Sequence, residues 1–282
     1  MRVFNFKTEL FTFIKNEKAK NKTIGLVPTM GALHEGHLSL VKKAMEENDV
    51  VVVSIFVNPT QFDNKDDLDK YPQNFSEDLK TLNTVSEAII VFAPTKDDIY
   101  EGSIASRSYN FEGLEKVMEG EFRTGHFNGV ATIVELLLRT VDPNRAYFGE
   151  KDFQQLQIIK KLVKNKKLPY QIIACPIERE PNGLARSSRN ERLSKKTRQK
   201  AALIFKTLSS AKEKFGTKSA EYIKEWVTKV FDENELFKLE YFEITDVDTL
   251  TPMIKKQKNR KYRAFIAVYA DGIRLIDNIA LN

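Results

Sequence analysis

The chain is organised around residues 27–37, which read Val27-Pro28-Thr29-Met30-Gly31-Ala32-Leu33-His34-Glu35-Gly36-His37. An apolar run that begins at Ile24 precedes this segment, and apolar residues follow it at helical spacing, at Leu38, Val41 and Met45. The pattern predicts a loop between a strand and a helix. Glycines let a backbone approach a ligand closely, and a helix N-terminus offers free N–H groups to phosphate. We interpret the segment as a nucleotide site.

A second strand follows this predicted helix. Residues 50–57 are apolar nearly throughout, which is typical of a strand buried on both faces of a parallel sheet. Strand, helix and strand at this spacing form a βαβ unit. The second strand ends in the polar loop Asn58-Pro59-Thr60-Gln61-Phe62. Because ligands of open α/β sheets bind beyond the carboxyl ends of the strands, both loops lie at the edge where a substrate is expected.

The alternation of strands and helices continues to about residue 177. Further strands are predicted at Ala88–Pro94, Ala146–Phe148 and Tyr170–Ile177. Helices are predicted between them, one of them from Val130 onward, after a loop at residues 121–129. The economical architecture is an α/β fold with a doubly wound parallel sheet.

After about residue 178 the pattern changes. One helical segment is predicted from Leu193 to Lys214 and another from Ser219 to Phe231, and three strand-like runs follow them. Pro181-Asn182-Gly183 predicts a turn, and Asp271-Gly272 predicts a hairpin between the last two strands. We therefore expect two domains, residues 1–177 and a smaller α+β domain at residues 178–282.

Composition narrows the class of protein without deciding its ligand. Hydrophobic residues make up 41% of the chain, and 45 basic residues against 39 acidic ones give a net charge of +6, which suits an anionic small molecule as well as nucleic acid. The single cysteine, Cys175, excludes an internal disulfide and is expected to be buried. No run approaches the roughly 18 apolar residues of a membrane span, and the first residues lack signal-peptide features, so we expect a cytoplasmic protein.

The candidate site residues are few. All three histidines, His34, His37 and His126, fall in glycine-containing loops, and we expect them to face a ligand. A zinc site is the main alternative for His34 and His37, but zinc needs a third and a fourth ligand. Lys151 and Arg189 are candidate phosphate-binding cations. The chain contains neither a Walker A sequence nor a Gly-x-Gly-x-x-Gly sequence, which disfavours P-loop and dinucleotide sites.

Two glutamines complete the candidate set. Gln61 and Gln155 lie at or just past predicted strand ends. A neutral amide both donates and accepts hydrogen bonds, which suits a hydroxy acid.

Four motifs carry a resemblance to a known family. His34-Glu35-Gly36-His37 resembles the His-x-Gly-His signature of the nucleotidyltransferase superfamily. The longer segments 28–37, 54–62, 148–155 and 187–190 resemble the pantothenate synthetase (pantoate–β-alanine ligase) family in order and spacing, and the similarity runs on to Arg274-Leu275-Ile276-Asp277-Asn278. The resemblance covers essentially the whole chain.

The resemblance implies an architecture and a reaction. It implies a Rossmann-like catalytic domain at residues 1–177, a lid domain at residues 178–282, and a homodimer. The implied reaction condenses (R)-pantoate with β-alanine through pantoyl adenylate, giving pantothenate, AMP and pyrophosphate. ATP is a substrate, and Mg²⁺ arrives on its phosphates. Nucleic acid and membrane are not implied as partners.

The resemblance also assigns roles to residues. His37, as proton donor, His34, Lys151 and Arg189 are implied to be catalytic, and Gln61 and Gln155 to bind substrate. No metal ligand is implied. The implied ATP contacts are Met30, Gly31, Ala32, Leu33, His34, Glu35, Gly36, His37, Gly149, Glu150, Lys151, Asp152, Glu178, Arg186, Ser187, Ser188 and Arg189.

The chain departs from the family pattern at three positions. Glu178 and Arg186 stand where apolar residues are usual near the adenine, and Asn128 stands where a basic residue is common, which leaves the roles of Arg123 and His126 open. Three other interpretations fit less of the sequence. A tRNA-charging or RNA-binding protein predicts an anticodon-binding domain and a long basic surface. A cytidylyltransferase-like enzyme does not account for the paired glutamines or for Gly-Glu-Lys-Asp, and a noncatalytic binding protein does not account for four intact loops.

Overall fold

The computed structural model describes residues 1–63 and 65–282, and these divide into two compact units. The first unit comprises Met1–Glu150 and Gln155–Pro176, and the second comprises Lys151–Gln154 and Ile177–Asn282. The short segment that contains Lys151 therefore groups with the C-terminal residues. The roles of residues 1–177 as a catalytic domain and of residues 178–282 as a lid stay predictions.

The first unit alternates strands and helices. Its strands are β1 (Arg2–Phe4), β2 (Ile24–Thr29), β3 (Val50–Ile55), β4 (Ile90–Phe92), β5 (Arg145–Gly149) and β6 (Gln171–Cys175). The helices in this part of the chain are α1 (Lys7–Lys18), α2 (Glu35–Glu47), α3 (Lys65–Asp69), α4 (Phe75–Asn83), α5 (Lys96–Tyr100), α6 (Glu119–Phe122), α7 (His126–Val141) and α8 (Phe153–Asn165). Short 3₁₀ turns lie at Pro59–Gln61, Leu114–Lys116 and Glu150–Asp152.

All six strands run parallel, in the order β1-β4-β3-β2-β5-β6. The chain moves outward from β2 to β3 and β4, then returns to add β5 on the other side of β2. The predicted Rossmann-like, doubly wound parallel sheet is confirmed. The switch point lies between β2 and β5, which is where ligands of such sheets bind. The three-residue strand β1 was not predicted, because so short a run carries no readable periodicity.

The centre of the sheet is buried on both faces, as the continuous apolar runs predict. Ile24, Leu26 and Val27 of β2 and Val52 and Val53 of β3 are fully buried. Strand β3 ends at Ile55, two residues earlier than predicted. The residues after it turn to form the buried loop that carries Asn58.

Helix α7 corrects one prediction. It begins at His126 and contains Gly129, whereas residues 121–129 were predicted as a loop. A Cβ atom on Gly129 would lie 2.2 Å from the carbonyl oxygen of Thr60. The glycine therefore does not break the helix, because its missing side chain lets the helix backbone pack directly against the Pro59–Gln61 turn.

The second unit is an α+β structure, as predicted. Its strands β7 (Lys238–Asp246), β8 (Tyr262–Ala270) and β9 (Ile273–Ala280) form an antiparallel sheet. Its helices are α9 (Lys195–Lys200), α10 (Ala202–Phe215) and α11 (Ala220–Asp232), and a 3₁₀ turn lies at Ser188–Arg192. The expected hairpin at Asp271-Gly272 is confirmed, since both residues have positive φ, 51° and 72°, as a two-residue hairpin requires.

The helical segment predicted from Leu193 to Lys214 is confirmed as helical, but it is divided into α9 and α10 and is not a single helix. Ala201 separates α9 from α10, with ψ at −9°, and its carbonyl accepts from the N–H of Ile204 at 3.1 Å. After this three-residue spacing, Ile204, Leu208 and Ala211 of α10 lie in the hydrophobic core of the second unit.

Within residues 1–63 and 65–282, no helix is both long enough and apolar enough to cross a bilayer.

We expect Gly129→Ala to disrupt the contact between α7 and the Pro59–Gln61 turn. The added methyl group would overlap backbone atoms, which cannot rotate away as a side chain can, so the free energy of unfolding should fall by about 1–3 kcal/mol. Chemical denaturation measures this change. Gly216→Ala is the matched control, because Gly216 has helical φ and the nearest atom to a Cβ built on it is 3.9 Å away. The control should be neutral or slightly stabilising, and equal losses in both variants would contradict the packing argument.

Candidate active site

The loop from Met30 to Leu33 leaves β2 at the switch point of the sheet. Gly31 and Ala32 both have positive φ, 78° and 49°, so the backbone reverses sharply before α2 begins. A Cβ on Gly31 would lie 2.8 Å from a carboxylate oxygen of Asp78. Glycine is therefore required at this position both by its backbone conformation and by the close approach of Asp78.

Asp78 of helix α4 holds this loop in place. Its Oδ2 accepts from the N–H of Ala32 at 3.1 Å and its Oδ1 accepts from the N–H of Leu33 at 2.7 Å. The carboxyl is buried, and burial raises its pKa above the ordinary value even though the two N–H groups act in the opposite direction. Asp78 was not predicted as a site residue, because it stands in the polar run Ser76-Glu77-Asp78. Its spacing of four residues from the buried Leu82 was the available signal.

His34 and His37 cap the N-terminus of α2 reciprocally. Nδ1 of His34 accepts from the N–H of Gly36 at 3.1 Å, and Nδ1 of His37 accepts from the N–H of His34 at 3.3 Å. The two ring centroids are 4.1 Å apart. A nitrogen that accepts a hydrogen bond carries no hydrogen, so the proton of each neutral ring is at Nε2. The caps therefore fix both rings as Nε2–H donors.

The same geometry bears on the zinc alternative. Each Nδ1 is already engaged by a backbone N–H group. Within residues 1–63 and 65–282, no group of three His, Cys, Asp or Glu side chains is placed to hold a metal ion. We therefore treat the histidine pair as hydrogen-bond donors.

Gln61 lies beside this loop, at the end of the 3₁₀ turn Pro59–Gln61 that follows β3. Its Nε2 lies 3.1 Å from the sulfur of Met30, and its Oε1 accepts from Nδ2 of Asn58 at 3.1 Å. The structure thus brings together the predicted ATP loop and one of the two predicted substrate glutamines.

Asn58 orders the surroundings of Gln61 and was likewise not predicted. It is almost fully buried, and its Nδ2 additionally donates to the carbonyl of Gly129 at 3.2 Å. Its Oδ1 accepts from the hydroxyl of Tyr100 at 2.5 Å. Burial raises the pKa of Tyr100, so its hydroxyl remains a proton donor at neutral pH. An asparagine directly after a buried strand was the sequence signal for a buried polar anchor.

The prediction that His126 lies in a loop is wrong, whereas the expectation that it faces a ligand stays a prediction. It is the first residue of α7 and is 5% exposed. Its Nδ1 donates to the carbonyl of Gln61 at 2.8 Å, and its Nε2 accepts from Arg123 at 3.1 Å. His126 therefore fixes the backbone of Gln61, one of the two predicted substrate glutamines. Asn128 lies in the same helix, where its Oδ1 accepts from the N–H of Tyr109 at 3.2 Å.

The predicted Gly149–Asp152 segment begins where β5 ends. Gly149 pairs with Cys175 of β6, and the chain then enters the 3₁₀ turn Glu150–Asp152. Cys175 is buried as expected, and burial raises the pKa of its thiol to about 11, so it is a packing residue. Gln155, the second predicted substrate residue, is half-buried in the first turn of α8.

Lys151 belongs to the second unit, together with the other predicted cation, Arg189. Its Nζ lies 3.7 Å from Oδ1 of Asp152, and one-fifth of its side chain is exposed. This long ion pair leaves the ammonium able to interact with an incoming anion. Lysine presents a mobile point charge and arginine a planar fork, so the pair offers two different modes of phosphate binding.

Residues 178–186 form a short hairpin in the second unit. Arg179 bridges Ala185, and the N–H of Arg186 donates to the carbonyl of Glu178 at 3.0 Å. The predicted turn Pro181–Gly183 is confirmed. Glu178 and Arg186, the two charged residues at positions where the family is usually apolar, are therefore cross-strand neighbours of opposite charge.

The residues after this hairpin are ordered by their own hydrogen bonds. Oγ of Ser187 accepts from the N–H of Arg189 at 3.3 Å and caps the Ser188–Arg192 turn. Nδ2 of Asn190 donates to Glu180 at 2.8 Å. Burial alone would raise the pKa of Glu180, but hydrogen bonds from Arg198 and Asn190 outweigh it and hold the pKa below its ordinary value. Glu180 is therefore an ionised anchor for the Arg189 turn.

Each unit, taken by itself, holds a distinct set of groups. The first unit brings together the Met30–His37 segment and Gln61, which provide glycine backbone, imidazole donors and an amide. The second unit contains two cationic segments, one at Lys151 and one at residues 186–189. Donors and cations of these kinds stabilise the charge that develops during transfer of a nucleotidyl group.

Comparison with known proteins gives a consistent result. The family model described as pantoate-beta-alanine ligase matches residues 2–280. The pantothenate synthetase of Christiangramia forsetii is 57% identical over 282 residues, which covers 100% of both chains. The fold is similar to that of the pantothenate synthetase of Thermus thermophilus, with a TM-score of 0.91, 36% identity and coverage of 100% of this chain and 99% of that one.

A second solved structure was determined with ligands. It is the pantoate-beta-alanine ligase of Francisella tularensis, in complex with beta-gamma ATP and beta-alanine. Its TM-score is 0.79 and its identity 37%, over 100% of this chain and 98% of that chain.

We expect Asp78→Asn to loosen the Met30–Leu33 loop. Asparagine offers one carbonyl oxygen and turns an NH₂ group towards the second N–H, so one buried donor loses its acceptor, an effect of about 1–3 kcal/mol. The free energy of unfolding, measured by denaturation, should depend on pH differently in the two proteins. Folding raises the pKa of Asp78, so its stabilising contribution is present below the unfolded pKa and is lost as pH rises through the folded pKa.

As pH falls from about 7 towards 4, the free energy of unfolding of the natural protein should therefore rise relative to that of Asp78→Asn. Lys80→Gln is the matched control, since it removes an exposed charge from the same helix. Its effect should stay within about 0.5 kcal/mol. A difference between the natural protein and Asp78→Asn that is constant with pH would contradict the assignment.

Proposed function

The chain belongs to the pantoate-beta-alanine ligase family, and we propose that it condenses (R)-pantoate with β-alanine at the expense of ATP, giving pantothenate, AMP and pyrophosphate. The observation that carries the proposal is the family match over residues 2–280, which includes every loop that holds a candidate site residue. The enzyme would act in the synthesis of pantothenate, the precursor of coenzyme A.

The proposed reaction has two steps. In the first, a carboxylate oxygen of pantoate attacks the α-phosphorus of ATP, a P–O bond forms, and the bond to the β-phosphate breaks as pyrophosphate leaves. In the second, the amine of β-alanine attacks the acyl carbon of pantoyl adenylate. AMP leaves with the bonding electrons, and the amine nitrogen loses its proton. Both steps build negative charge on phosphate oxygens.

His34 and His37 are assigned to stabilise this negative charge. Their Nδ1 atoms accept from backbone N–H groups, so each ring offers an Nε2–H donor that needs no reorganisation during the reaction. We assign His37 as proton donor and ATP contacts to the whole Met30–His37 segment. The free N–H groups at the start of α2 add to the same effect.

Lys151 and Arg189 are assigned as catalytic cations that offset charge on the α-phosphate and on pyrophosphate. Ser187, Ser188, Gly149, Glu150 and Asp152 complete the proposed ATP contacts near them. The membership of both cations in one compact unit supports this pairing, because their spacing is then set within a single body. ATP would bring Mg²⁺ on its phosphates as part of the substrate.

Gln61 and Gln155 are assigned to pantoate. The hydrogen bond from Asn58 orients the side-chain amide of Gln61, and that from His126 fixes its backbone. A preoriented amide can donate to one oxygen of a hydroxy acid and accept from its hydroxyl group.

Glu178 and Arg186 are assigned to the surroundings of the adenine. The backbone hydrogen bond between them makes these two charged residues cross-strand neighbours, and their joint presence would alter nucleotide selectivity more than catalysis. A homodimeric state remains a proposal that rests on the family resemblance, and a cytoplasmic location remains a proposal that rests on the composition and N-terminal residues of the sequence.

We expect AMP release to require ATP, Mg²⁺, pantoate and β-alanine together. A coupled assay of AMP with each component omitted in turn tests the proposal, and mass spectrometry of the product should identify pantothenate. AMP formation that is unchanged without pantoate would exclude this function. Pyrophosphate release with pantoate but without β-alanine, in a single turnover, would identify the adenylate step.

We expect His37→Ala to slow pyrophosphate release by about 10²–10⁴-fold, because the variant loses the Nε2–H donor at the reacting phosphate. Single-turnover kinetics measure the step directly, and the melting temperature reports on the fold. Lys42→Gln, an exposed change in the same helix, is the control and should leave the rate unchanged. A near-normal rate in a folded His37→Ala protein would remove His37 from the mechanism.

A further inference from the structure

The stretch Arg274-Leu275-Ile276-Asp277-Asn278 shares the family resemblance but has no role in the reaction as described so far. It lies on β9, within the sheet of the second unit. Asp277 is 4% exposed and Asn278 is 1% exposed. A buried carboxylate and a buried amide are unfavourable unless they are fully hydrogen-bonded, so their partners indicate what they hold.

Asn278 holds the Lys151 turn. Its Nδ2 donates to the backbone carbonyl of Lys151 at 2.9 Å, and its Oδ1 accepts from Nη1 of Arg263 on the neighbouring strand β8. The guanidinium of Arg263 also lies 4.0 Å from the ring centroid of Phe153, two residues beyond Lys151. The backbone that carries the lysine is thus fastened from two sides to the β8–β9 pair.

Asp277 holds the 178–186 hairpin. Its two carboxylate oxygens accept from Nη1 and Nη2 of Arg179 at 2.6 and 3.0 Å, a bidentate pair. Nη1 of Arg179 also donates to the carbonyl of Gly183 at 3.0 Å, and its guanidinium lies 3.8 Å from the ring centroid of Phe205. Arg179 therefore ties the base and the turn of the hairpin to β9.

The hairpin in turn holds the Arg189 turn. Glu180 follows Arg179 directly and accepts from Nδ2 of Asn190, which also donates to the carbonyl of Ala185 at 3.1 Å. Asn190 is the residue after Arg189 and is 1% exposed. Two sets of part-buried hydrogen bonds, joined by the peptide bond between Arg179 and Glu180, thus connect Asp277 to the residue beside Arg189.

We propose that Asp277 and Asn278 are positioning residues that fix the spacing between Lys151 and Arg189, one by holding the hairpin that leads to Arg189 and the other by holding the carbonyl of Lys151. The proposal rests on the proposed function of these two cations. Adjacent residues on a strand point to opposite faces, so a single peptide unit can hold two segments that are distant in sequence. Strand β9 is hydrogen-bonded along its length to β8, and a regular strand is a more rigid base for catalytic groups than a loop.

This arrangement also accounts for the grouping of Lys151–Gln154 with the C-terminal residues. Because both residues belong to the second unit, the distance between Lys151 and Arg189 would be set within that unit alone. A misplacement of about 1 Å can slow a reaction about 100-fold, so this spacing matters for charge stabilisation on the phosphates.

The test is a double-mutant cycle on single-turnover pyrophosphate release. Asn278→Asp keeps the shape of the side chain and the acceptor for Arg263, but replaces the donor to the Lys151 carbonyl with an oxygen. We expect this variant to lower the rate by about 100-fold in the natural background. In the Lys151→Ala background the same substitution should lower the rate by less than about threefold, because its effect acts through the lysine.

Val268→Ala is the control for general destabilisation, since Val268 is a fully buried residue of β8 in the core of the same unit. Its effect on rate should be the same factor with and without Lys151. An equal effect of Asn278→Asp in the two backgrounds would overturn the positioning role. If Asn278→Asp does not fold, Asn278→Ser removes the same contact with a smaller side chain and enters the same cycle.

Asp277→Asn tests the other half in the same way, with Arg189→Ala as its background. Independent effects of Asp277→Asn and Arg189→Ala on the rate would overturn the assignment of Asp277.

Hydrogen exchange of the backbone distinguishes failure of this proposal from failure of the proposed function, because it needs no substrate. Faster exchange at residues 150–154 in Asn278→Asp than in Val268→Ala supports the contact, and unchanged exchange would contradict it. Absence of pantoate-dependent pyrophosphate release in the natural protein would instead reject the function.

Discussion

The pairing of β2 with β3 on one side and β5 on the other sets the position of the site. Because all three strands are parallel, their carboxyl ends meet at one edge, and the chain reverses its direction of growth there. The Met30–His37 segment, the Pro59–Gln61 turn and the Glu150–Asp152 turn all start from this edge. None of these segments forms a site by itself. The register of the sheet brings the Met30–His37 segment and the Pro59–Gln61 turn close enough for Met30 and Gln61 to be in contact.

Buried polar side chains then fix the conformation of these loops through hydrogen bonds to their backbone. Asp78 accepts from two backbone N–H groups of the first loop, and His126 donates to the carbonyl of Gln61. Ionised Asp78 is unfavourable by itself, as the upward shift of its pKa shows, yet it fixes a backbone that would otherwise have two buried donors without acceptors. The buried carboxylate of Asp78 thus lowers stability locally, while its hydrogen bonds hold the loop that is proposed to bind a nucleotide.

In the second unit, too, buried polar side chains hold turns in place through hydrogen bonds. Backbone carbonyls and a guanidinium are held by Asn278 and Asp277 from within an antiparallel sheet. In both units many of the assigned side chains lie on loops, on short turns or in the first turn of a helix. Their supports come from α4, α7 and β9, which are regular elements. Precision in this protein therefore comes from long-range hydrogen bonds between regular elements and loops.

Local patterns in the sequence were enough to predict the alternation of elements, the doubly wound sheet, the α+β C-terminal part and the two turns at Pro181–Gly183 and Asp271-Gly272, because these depend on periodicity and local backbone preference. They also placed His34 and His37 at a helix start. The packed structure was needed to establish that Asp78 is buried, that His126 faces Gln61 and that Lys151 is held by Asn278. Those contacts join residues 46, 65 and 127 positions apart. No local pattern encodes such a partner, since the free energy that selects it arises only when the packed backbone brings unsatisfied donors and acceptors together.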